Sequence, residues 1–581
     1  MIDWIHPSIF LILGAPLIPL LKGRMQQGYV VLLPLLTLVT VAMMSPGTYG
    51  VVPFFGLELV FGRADRLSLV FAHVFALAVL IGSIYALHIK DTSQHIAAFV
   101  YAGSSLGVTF AGDLVTLYIF WELMAVASVW LIWSRRVKAS IDAGYRYILV
   151  HLVGGMVLLA GIMIFYMDTG SILFDAMHVQ NVSFYLILFG FLLNAAVPPL
   201  HAWLTDAYPE ATVTGAVFLS AFTTKTAVYA LIRGYPGTEM LIWLGTIMAL
   251  YGVVYAVLAN DIRRLLGYHI ISQVGYMVAG VGIGTAMAIN GAVAHAFTHI
   301  LYKGLLFMGA GAVIQMTSRS KLTELGGLYR YMPITFILYM IGGFSISAFP
   351  LFSGFVSKSM VVSAAADSHL PWIWMLLTLA SAGTFLHTGL KLPYFTFLGN
   401  DCGARPTEPP RNMLVAMGIG AFMCVFIGVY PAWLYGMLPN PVDYEPYTAT
   451  HVIWALEILL FTGVGFFMLL KMVGGEPTIS LDTDWFYRKG AGLFMLFIKY
   501  VVVPVENAMI QSYRYVFLGN LIFAKRGLWV DKKIIDGAVN YVAASVVRCA
   551  DVLRLVQTGQ LQNYALVMVG SILILSLFWM F

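Results

Sequence analysis

"LYIFWELMAVASVWLIW", residues 117–133, is a run of side chains suited to the hydrocarbon interior of a membrane, yet it carries a carboxylate, Glu122, near its middle. An apolar stretch of this length can cross a bilayer as a helix. A charged group at that depth costs about 2.5–3.5 kcal/mol on insertion scales, so it normally faces a bundle interior or a wet cavity and has a partner. The stretch therefore predicts a membrane helix with a functional group turned toward its neighbours.

The whole chain has the composition of a membrane protein. Of its 581 residues, 60% are hydrophobic and only 10% are charged, and the mean hydropathy is +0.87. Lipid offers no hydrogen-bond partner to backbone groups, and no alternating pattern suggests a barrel, so the spans should be helices. The sequence predicts an all-α polytopic membrane protein with spans at residues 7–21, 28–44, 67–88, 95–111, 113–133, 144–167, 183–204, 213–233, 239–258, 267–286, 290–315, 333–360, 371–398, 412–435, 452–472 and 564–581.

The basic residues predict an orientation. Most of them follow alternate spans, which places those loops in the cytoplasm by the positive-inside rule and leaves the N-terminus outside. Arg63 and Arg66, before the third span, run against this trend. The chain does not begin with a short apolar core and a small-residue cleavage site, so we expect the first span to be retained in a multi-pass protein of the cytoplasmic (inner) cell membrane. The basic residues on the predicted inner side are Lys22, Arg24, Lys90, Arg135, Arg136, Lys138, Arg263, Arg264, Arg319, Lys321 and Arg330.

Two apolar stretches contain proline in their interiors. Pro198 and Pro199 lie in "FLLNAAVPPLHAWL", and Pro350 lies in "FSISAFPLFSGFVSKSM". Proline removes a backbone hydrogen bond and clashes with the preceding turn, so each helix should break there. Two broken helices in matching halves of a chain favour an inverted-repeat transporter with ion sites at mid-membrane, whereas a plain kink would explain a single one.

The character of the chain changes after residue 476. Residues 485–563 contain ten Lys or Arg, interleaved with apolar residues at helical spacing. This pattern predicts an amphipathic lateral arm along the cytoplasmic membrane surface, followed by a terminal span at 564–581. A solvated loop packed against other helices is the alternative.

Ionisable side chains recur inside the predicted spans. In "HAFTHILYKGLLFMGAG", His295, His299 and Lys303 are four residues apart, which at about 100° per residue places them on nearly one face of a helix. A row of Glu, Lys and His with water between its members can pass protons, because burial brings such groups toward neutral pH. The candidate proton-path residues are Glu122, Lys225, His295, His299, Lys303 and Lys358, with Asn194, Arg263, His387 and Lys391 as secondary candidates.

Each of these residues has a structural alternative. Glu122 could pair with a basic neighbour and hold two helices together, and His295 taken alone could be a packing histidine. Lys391 could extend to the membrane interface. His151 and His269 are interpreted as structural or second-tier residues.

The sequence gives no sign of a metal or redox centre in this chain. Cys402, Cys424 and Cys549 lie far apart and form neither a disulfide nor a ligand pattern. His295 and His299 could share an ion, but no acidic residue or cysteine accompanies them and Lys303 adds a like charge. We therefore expect no cofactor and no metal here.

Several motifs resemble the antiporter-like subunits shared by respiratory complex I, Mrp-type sodium/proton antiporters and membrane-bound hydrogenases. The resemblance covers about residues 65–400, through "FWELM", "PLHAWLTDAYPEA", "KTAVYALIR", "NDIRRLLGYHIISQVGYM", "AVAHAFTHILYKGLLF" and "GFVSKS". The closing "IIDGAVNYVAAS" and "LVQTGQLQNYALVMVG" resemble the end of the largest such subunit of complex I, which has a lateral arm. The resemblance implies about fourteen core helices, with two inverted five-helix repeats, broken seventh and twelfth helices and a central hydrophilic axis.

The resemblance also implies roles for individual residues. Glu122 matches the glutamate of the family's fifth helix, Lys225 the ionisable residue of the eighth, and Arg263 a basic residue at the cytoplasmic start of the tenth. His295, His299 and Lys303 match the eleventh helix, and Lys358 matches the charged residue at the break of the twelfth. Two positions depart from the pattern: Asn194 replaces the usual lysine of the seventh helix, and Thr205 replaces a proline. Since an amide cannot change charge, something else must tune Glu122, or the first half of the path works differently.

The resemblance implies a proton-translocating subunit of a multisubunit complex, with or without exchange for a cation such as Na⁺. Expected partners are other membrane subunits, reached in part through the arm, together with lipid; no nucleic acid is expected. A non-conducting scaffold, or the membrane subunit of an inorganic-carbon uptake complex, are alternatives, and a quinone-reducing enzyme is disfavoured because no cofactor motif is present. The predicted segments are 1–94 (three N-terminal spans), 95–235 and 236–400 (the two repeats), 401–475 (two spans), 476–563 (the arm) and 564–581 (the terminal span).

Overall fold

The computed structural model describes residues 4–476, 481–526, 535–556 and 559–580. Over these ranges the chain is helical apart from one two-stranded hairpin and connecting loops. Residues 4–476 belong to one compact unit, and Leu481–Leu577 form a second. Thirteen of the described helical stretches are long and apolar enough to cross a membrane, so the all-α polytopic prediction is confirmed.

The N-terminal region contains the hairpin, which was not expected from the sequence. Strands β1 (Gly47–Phe54) and β2 (Leu57–Ala64) pair antiparallel, with Gly47 opposite Ala64. The helices around them are α1 (Ser8–Ile12), α2 (Gly23–Ala42) and α3 (Arg66–Tyr85).

The next seven helices fill residues 92–234. The span predicted at 95–111 forms one helix, whereas the predicted spans 183–204 and 213–233 are each divided in two. The first division lies at the proline pair, as predicted; the second, at Phe222, was not predicted. These helices are α4 (Thr92–Phe110), α5 (Leu114–Trp133), α6 (Lys138–Thr169), α7 (Val182–Asn194), α8 (Ala202–Ala207), α9 (Val213–Ala221) and α10 (Thr223–Gly234).

The following ten helices complete the first unit. The predicted span 333–360 is divided around Pro350, and the span that begins at Pro371 continues beyond Thr384 as π-helical turns over Phe385–Lys391 and Tyr394–Leu398. These helices are α11 (Glu239–Leu258), α12 (Ile262–Ile283), α13 (Ala286–Thr317), α14 (Pro333–Ile346), α15 (Ser353–Asp367), α16 (Pro371–Thr384), α17 (Arg411–Val429), α18 (Ala432–Tyr435), α19 (Ala449–Met468) and α20 (Leu470–Val473).

The second unit consists of long helices with exposed side chains. Over Asp484–Leu518 it contains a 35-residue helical stretch apolar enough to span a membrane. The prediction that residues 476–563 form a surface arm therefore stays a prediction, and its residues 477–480, 527–534 and 557–558 lie outside the described part. The helices are α21 (Asp484–Phe497), α22 (Val503–Arg526), α23 (Ile535–Val556) and α24 (Leu561–Met580).

The buried helices of the first unit position the ionisable groups. In a membrane-length stretch of each helix, 94% of the residues of α12 and 89% of those of α13 are buried. In the outer helix α19 only 11% are buried. The ionisable groups His269 on α12 and His295, His299 and Lys303 on α13 are fully buried. This is the environment in which an ionisable side chain inside a membrane protein is tolerated.

Candidate ion pathway

Glu122 lies inside the first half of the bundle, on α5. Its side chain is only 2% exposed, and neither carboxylate oxygen has a hydrogen-bond partner among the described residues. The carboxylate of Glu122 fits against α6 because residue 155 is a glycine. A Cβ atom at Gly155 would overlap Glu122 Oε1. The alternative that Glu122 holds two helices together through a salt bridge is not supported by this geometry.

The end of α7 packs against the same part of α6. The side chain of Leu193 lies over Gly154, and Trp203 Nε1 donates a hydrogen bond of 3.0 Å to the carbonyl oxygen of Leu193. Asn194 ends α7, is buried, and has no described partner for its Nδ2. The break in this helix therefore lies at the level of Gly154 and Gly155, beside Glu122.

Lys225 lies just after the division between α9 and α10 and is fully buried. Its Nζ donates to the carbonyl oxygen of Ser220 (2.7 Å) and to Thr224 Oγ1 (3.0 Å). The Ser220 carbonyl lacks its usual helical partner because α9 ends at Ala221. The divided helix thus supplies neutral oxygen ligands for an ammonium group.

The row predicted on α13 is present and fully buried. His295 Nδ1 lies 3.2 Å from Ser357 Oγ on α15, and neither ring nitrogen of His299 has a described hydrogen-bond partner. His299 interacts electrostatically with Lys225 from the first half of the bundle and with Lys303 and Lys358 from the second. His295 and Lys303 also interact electrostatically with Lys225, so the two halves meet along the α13 row.

Lys303 lies next to His269, and the ring of His269 lies next to that of His387. The Nζ atom of Lys303 lies 2.9 Å from His269 Nδ1 on α12, and the ring centroids of His269 and His387 are 4.9 Å apart. His387 Nδ1 lies 2.7 Å from Thr388 Oγ1. From the sequence, His269 was interpreted as structural or second-tier, yet it sits between a primary and a secondary candidate. The polar residues of "GYHIISQ" were the feature of the sequence that could have indicated a role for His269 in the row.

The ammonium groups of two further lysines, Lys358 and Lys391, donate hydrogen bonds to backbone carbonyl oxygens. Lys358 Nζ donates to the carbonyl oxygen of Ile346, the last residue of α14, at 3.0 Å. Lys391, in the π-helical turns, donates to the carbonyl oxygens of Val257 and Ala259 and is fully buried. The end of α11 holds the ammonium group of Lys391 away from solvent, and the alternative that it extends to the depth of the membrane interface stays a prediction.

An open cavity leads to Lys358 from the end of the bundle opposite the Arg319–Arg330 loop. It has a volume of about 460 Å³. Acidic side chains line it: Asp367 at the end of α15, and Asp443 and Glu445 in the loop before α19. Asn290 fixes this loop by donating to the carbonyl oxygen of Asn440 at 3.0 Å. The second half of the bundle is thus open at this end.

At the corresponding end of the first half, beside the hairpin, arginine and aspartate side chains form a group of ion pairs. Arg233 Nη1 lies 2.8 Å from Asp65 Oδ2, and Arg63 Nη1 lies 2.7 Å from Asp175 Oδ1. Burial raises the pKa of Asp65, but the hydrogen bond and charge of Arg233 and the Ser68 N–H outweigh it, so the pKa lies below its usual range. This explains why Arg63 departs from the basic-residue trend: its partner is a carboxylate across the loop.

Arg263 lies apart from the row. Its guanidinium donates to the carbonyl oxygens of Pro209 and Ala211, between α8 and α9, the latter at 2.8 Å. It ties the start of α12 to the segment after the first broken helix. The contacts therefore give Arg263 a positioning role in this structure.

Comparison with known proteins agrees with this arrangement. A family model described as NADH:quinone oxidoreductase/Mrp antiporter, transmembrane, matches residues 111–384. The NAD(P)H-quinone oxidoreductase chain 5 of Picosynechococcus sp. is 28% identical over 82% of this chain and 79% of its own length. A probable K(+)/H(+) antiporter subunit of Rhizobium meliloti is 31% identical over 66% of this chain, which spans 41% of that longer relative.

A solved structure shows the same fold. A chain from the membrane-bound sulfane sulfur reductase, an archaeal respiratory membrane complex, matches 98% of this chain and 99% of its own with a TM-score of 0.70 at 24% identity. The fold, the buried ionisable row and the match over residues 111–384 lead to one conclusion. Residues 111–384 match the transmembrane family that NADH:quinone oxidoreductases and Mrp antiporters share, and the chain is similar to antiporter-like membrane subunits of both.

Proposed function

We propose that this chain translocates protons, alone or in exchange for a cation, as a membrane subunit of a multisubunit complex. The observation that carries the proposal is the fully buried α13 row, whose His295 and His299 interact electrostatically with Lys225 of the first half and with Lys358 of the second. One row of ionisable groups thereby links the two halves. The names of the relatives, an oxidoreductase chain and an antiporter component, support the same activity.

The ligands of the lysines suit proton transfer. Lys225, Lys303 and Lys358 are held by carbonyl, hydroxyl or imidazole acceptors, which neutral amines and ammonium groups can both approach. A low-dielectric interior narrows the free-energy gap between charged and neutral forms of such groups. Moving one elementary charge through about 100 mV exchanges ~2.3 kcal/mol, which is comparable to rearranging one buried polar contact.

The two ends of the row suggest a direction for the path. At one end of the second half the acidic cavity reaches Lys358, and at the corresponding end of the first half Asp65 and Arg233 form an ion pair. We infer that protons enter or leave on that side through the second half. We propose that the loops rich in Lys and Arg lie on the cytoplasmic side of the inner cell membrane, with the N-terminus outside, because basic loops favour that side.

A non-conducting scaffold is the second candidate, because Asn194 provides no charge beside Glu122. Proton uptake by vesicles that contain the assembled complex with Glu122→Gln distinguishes the transporter from the scaffold. Under the proposed function, proton uptake falls to background while assembly is unchanged; under the scaffold hypothesis it survives. Glu457→Gln is the matched control, since Glu457 is an exposed glutamate on α19 outside the row and its loss should leave uptake unchanged.

A further inference from the structure

The first half of the row contains a buried histidine that the proposed function does not yet use. His151 lies on α6, one helical turn before Gly155, and is 2% exposed. Its Nδ1 lies 2.9 Å from the carbonyl oxygen of Tyr147. A carbonyl oxygen only accepts hydrogen bonds, so Nδ1 carries the proton and Nε2 of the neutral ring presents its lone pair. Nε2 has no hydrogen-bond partner among the described residues.

The packing of α5 against α6 places His151 close to Glu122. Two contacts fix the register: Gly155 faces Glu122, and Tyr147 Oη lies 2.8 Å from Ser128 Oγ. His151 is midway between Tyr147 and Gly155, four residues from each and on the same face of the helix. It is therefore about 6 Å along the axis from the level of Glu122.

Aromatic rings hold the histidine in place. The ring of Tyr147 stacks on it with centroids 4.1 Å apart, and the ring of Trp203 meets it edge-on at 4.6 Å. Trp203 also donates to Leu193, the neighbour of Asn194. His151, Asn194 and Glu122 thus all lie near Gly154 and Gly155 of α6, at the level of the break in α7.

We propose that His151 is the proton-exchange partner of Glu122 in the first half of the path, a role that the amide of Asn194 cannot fill. The proton leaves the carboxyl oxygen of protonated Glu122 as His151 Nε2 gains one through a bridging water, and the products are a carboxylate and an imidazolium. The reverse step restores both neutral groups. The inference rests on the proposed function, since it assigns a step within the same path.

Other ionisable groups near His151 do not offer the same exchange. Arg146, on the preceding turn, is bonded to Asp206 through Nε (2.6 Å) and Nη2 (2.9 Å). The other titratable and charged groups on α5 to α8, with the residue before α8 and the turn after it, are Tyr118, Glu122, Lys138, Asp142, Tyr145, Arg146, Tyr147, Tyr166, Asp168, Tyr185, His201, Asp206, Tyr208 and Glu210.

The test replaces His151 with asparagine, whose Nδ2 can still donate to the Tyr147 carbonyl. His73→Asn is the matched control, because His73 Nδ1 makes the same contact to Leu69 O (2.7 Å) on α3, outside the path. Proton uptake is measured in vesicles with assembled complex, with Glu122→Gln in parallel. We expect His151→Asn to lower uptake at least about tenfold, and His73→Asn to leave it unchanged.

A second variant separates proton exchange from packing. His151→Asn combined with Asn194→Lys supplies another titratable group beside the glycine pair, so recovered uptake in the assembled double variant supports the proposal. Wild-type uptake by His151→Asn, loss that coincides with failed assembly, or an assembled double variant without recovery each overturns it. Where Glu122→Gln abolishes uptake and His151→Asn does not, the exchange step fails and the proposed function stands; where neither changes uptake, both fail.

Discussion

Lys303 Nζ lies 2.9 Å from His269 Nδ1, which joins α13 to α12 in the second half of the bundle. A charged ammonium group only donates, so with Lys303 protonated Nδ1 presents its lone pair and the proton of a neutral His269 ring lies on Nε2. The next ring, that of His387, has its centroid 4.9 Å from that of His269. Lys303 and His269 are therefore coupled by a hydrogen bond through which a change of charge on one is felt by the other.

Lys303→Gln tests that coupling. Glutamine can still donate a hydrogen bond toward His269 but cannot gain or lose a charge, so we expect proton uptake by vesicles with the assembled complex to fall at least about tenfold. Lys471→Gln, at an exposed lysine on α20, is the control and should transport normally. Wild-type uptake by Lys303→Gln would remove Lys303 from the path.

Gly155→Ala should displace the Glu122 carboxylate, because the added Cβ overlaps Oε1. Forcing a methyl group into a packed interior costs about 1–3 kcal/mol. We expect a lower melting temperature of the purified complex and proton uptake reduced about tenfold. Gly418→Ala, on α17, is the control, since nothing lies within 4 Å of its added Cβ. Equal behaviour of the two variants would show that Glu122 does not occupy this position.

Asp65 should make stability depend on acid pH. The pKa of its carboxyl is lowered in the fold, so its contribution is present above the ordinary value of about 3.9 and is lost as pH falls below it. Asp65 also caps α3 through Ser68 N at 2.9 Å, a contact that the side-chain oxygen of asparagine can keep, so Asp65→Asn removes chiefly the charge that faces Arg233. Asp65→Asn should therefore melt lower than the wild type at neutral pH, with the gap narrowing toward pH 3. Asp175→Asn, in a more exposed pair, should change melting little; a gap that does not vary with pH would contradict the assignment.

The acidic cavity predicts a pattern of chemical access. Ser359 lines the cavity, whereas Val361, two residues further along α15, is fully buried. In a background with the native cysteines replaced by serine, a charged thiol reagent added on the non-cytoplasmic side should label Ser359→Cys and slow transport, and should spare Val361→Cys. Labelling of both or of neither would show that the cavity does not open to that side.

Much of this arrangement could be predicted from the sequence, for identifiable reasons. Proline marks the breaks near residues 198 and 350 because it cannot continue a helix, and a four-residue spacing places His295, His299 and Lys303 on one face. The division at Phe222 could not be predicted, since no proline or glycine marks it.

The hairpin and the partners of single side chains required the structure. Strand pairing between β1 and β2 places Arg63 near Asp175, which is more than a hundred residues away in sequence. The carbonyl acceptors of Lys391 come from the end of α11, which is more than a hundred residues away in sequence. The contacts of His151 and His269 depend on how α6 and α12 are rotated, which spacing within one helix does not determine.

The central claim is that one continuous row connects the two halves through Lys225 and His299. Lys225→Gln tests it most directly, because it leaves Glu122, the α13 row and Lys358 in place while removing the charge at the junction. In vesicles containing the assembled complex, the predicted result is proton uptake at background level, matching Glu122→Gln. Uptake at the wild-type rate with Lys225→Gln would contradict a path that runs through both halves.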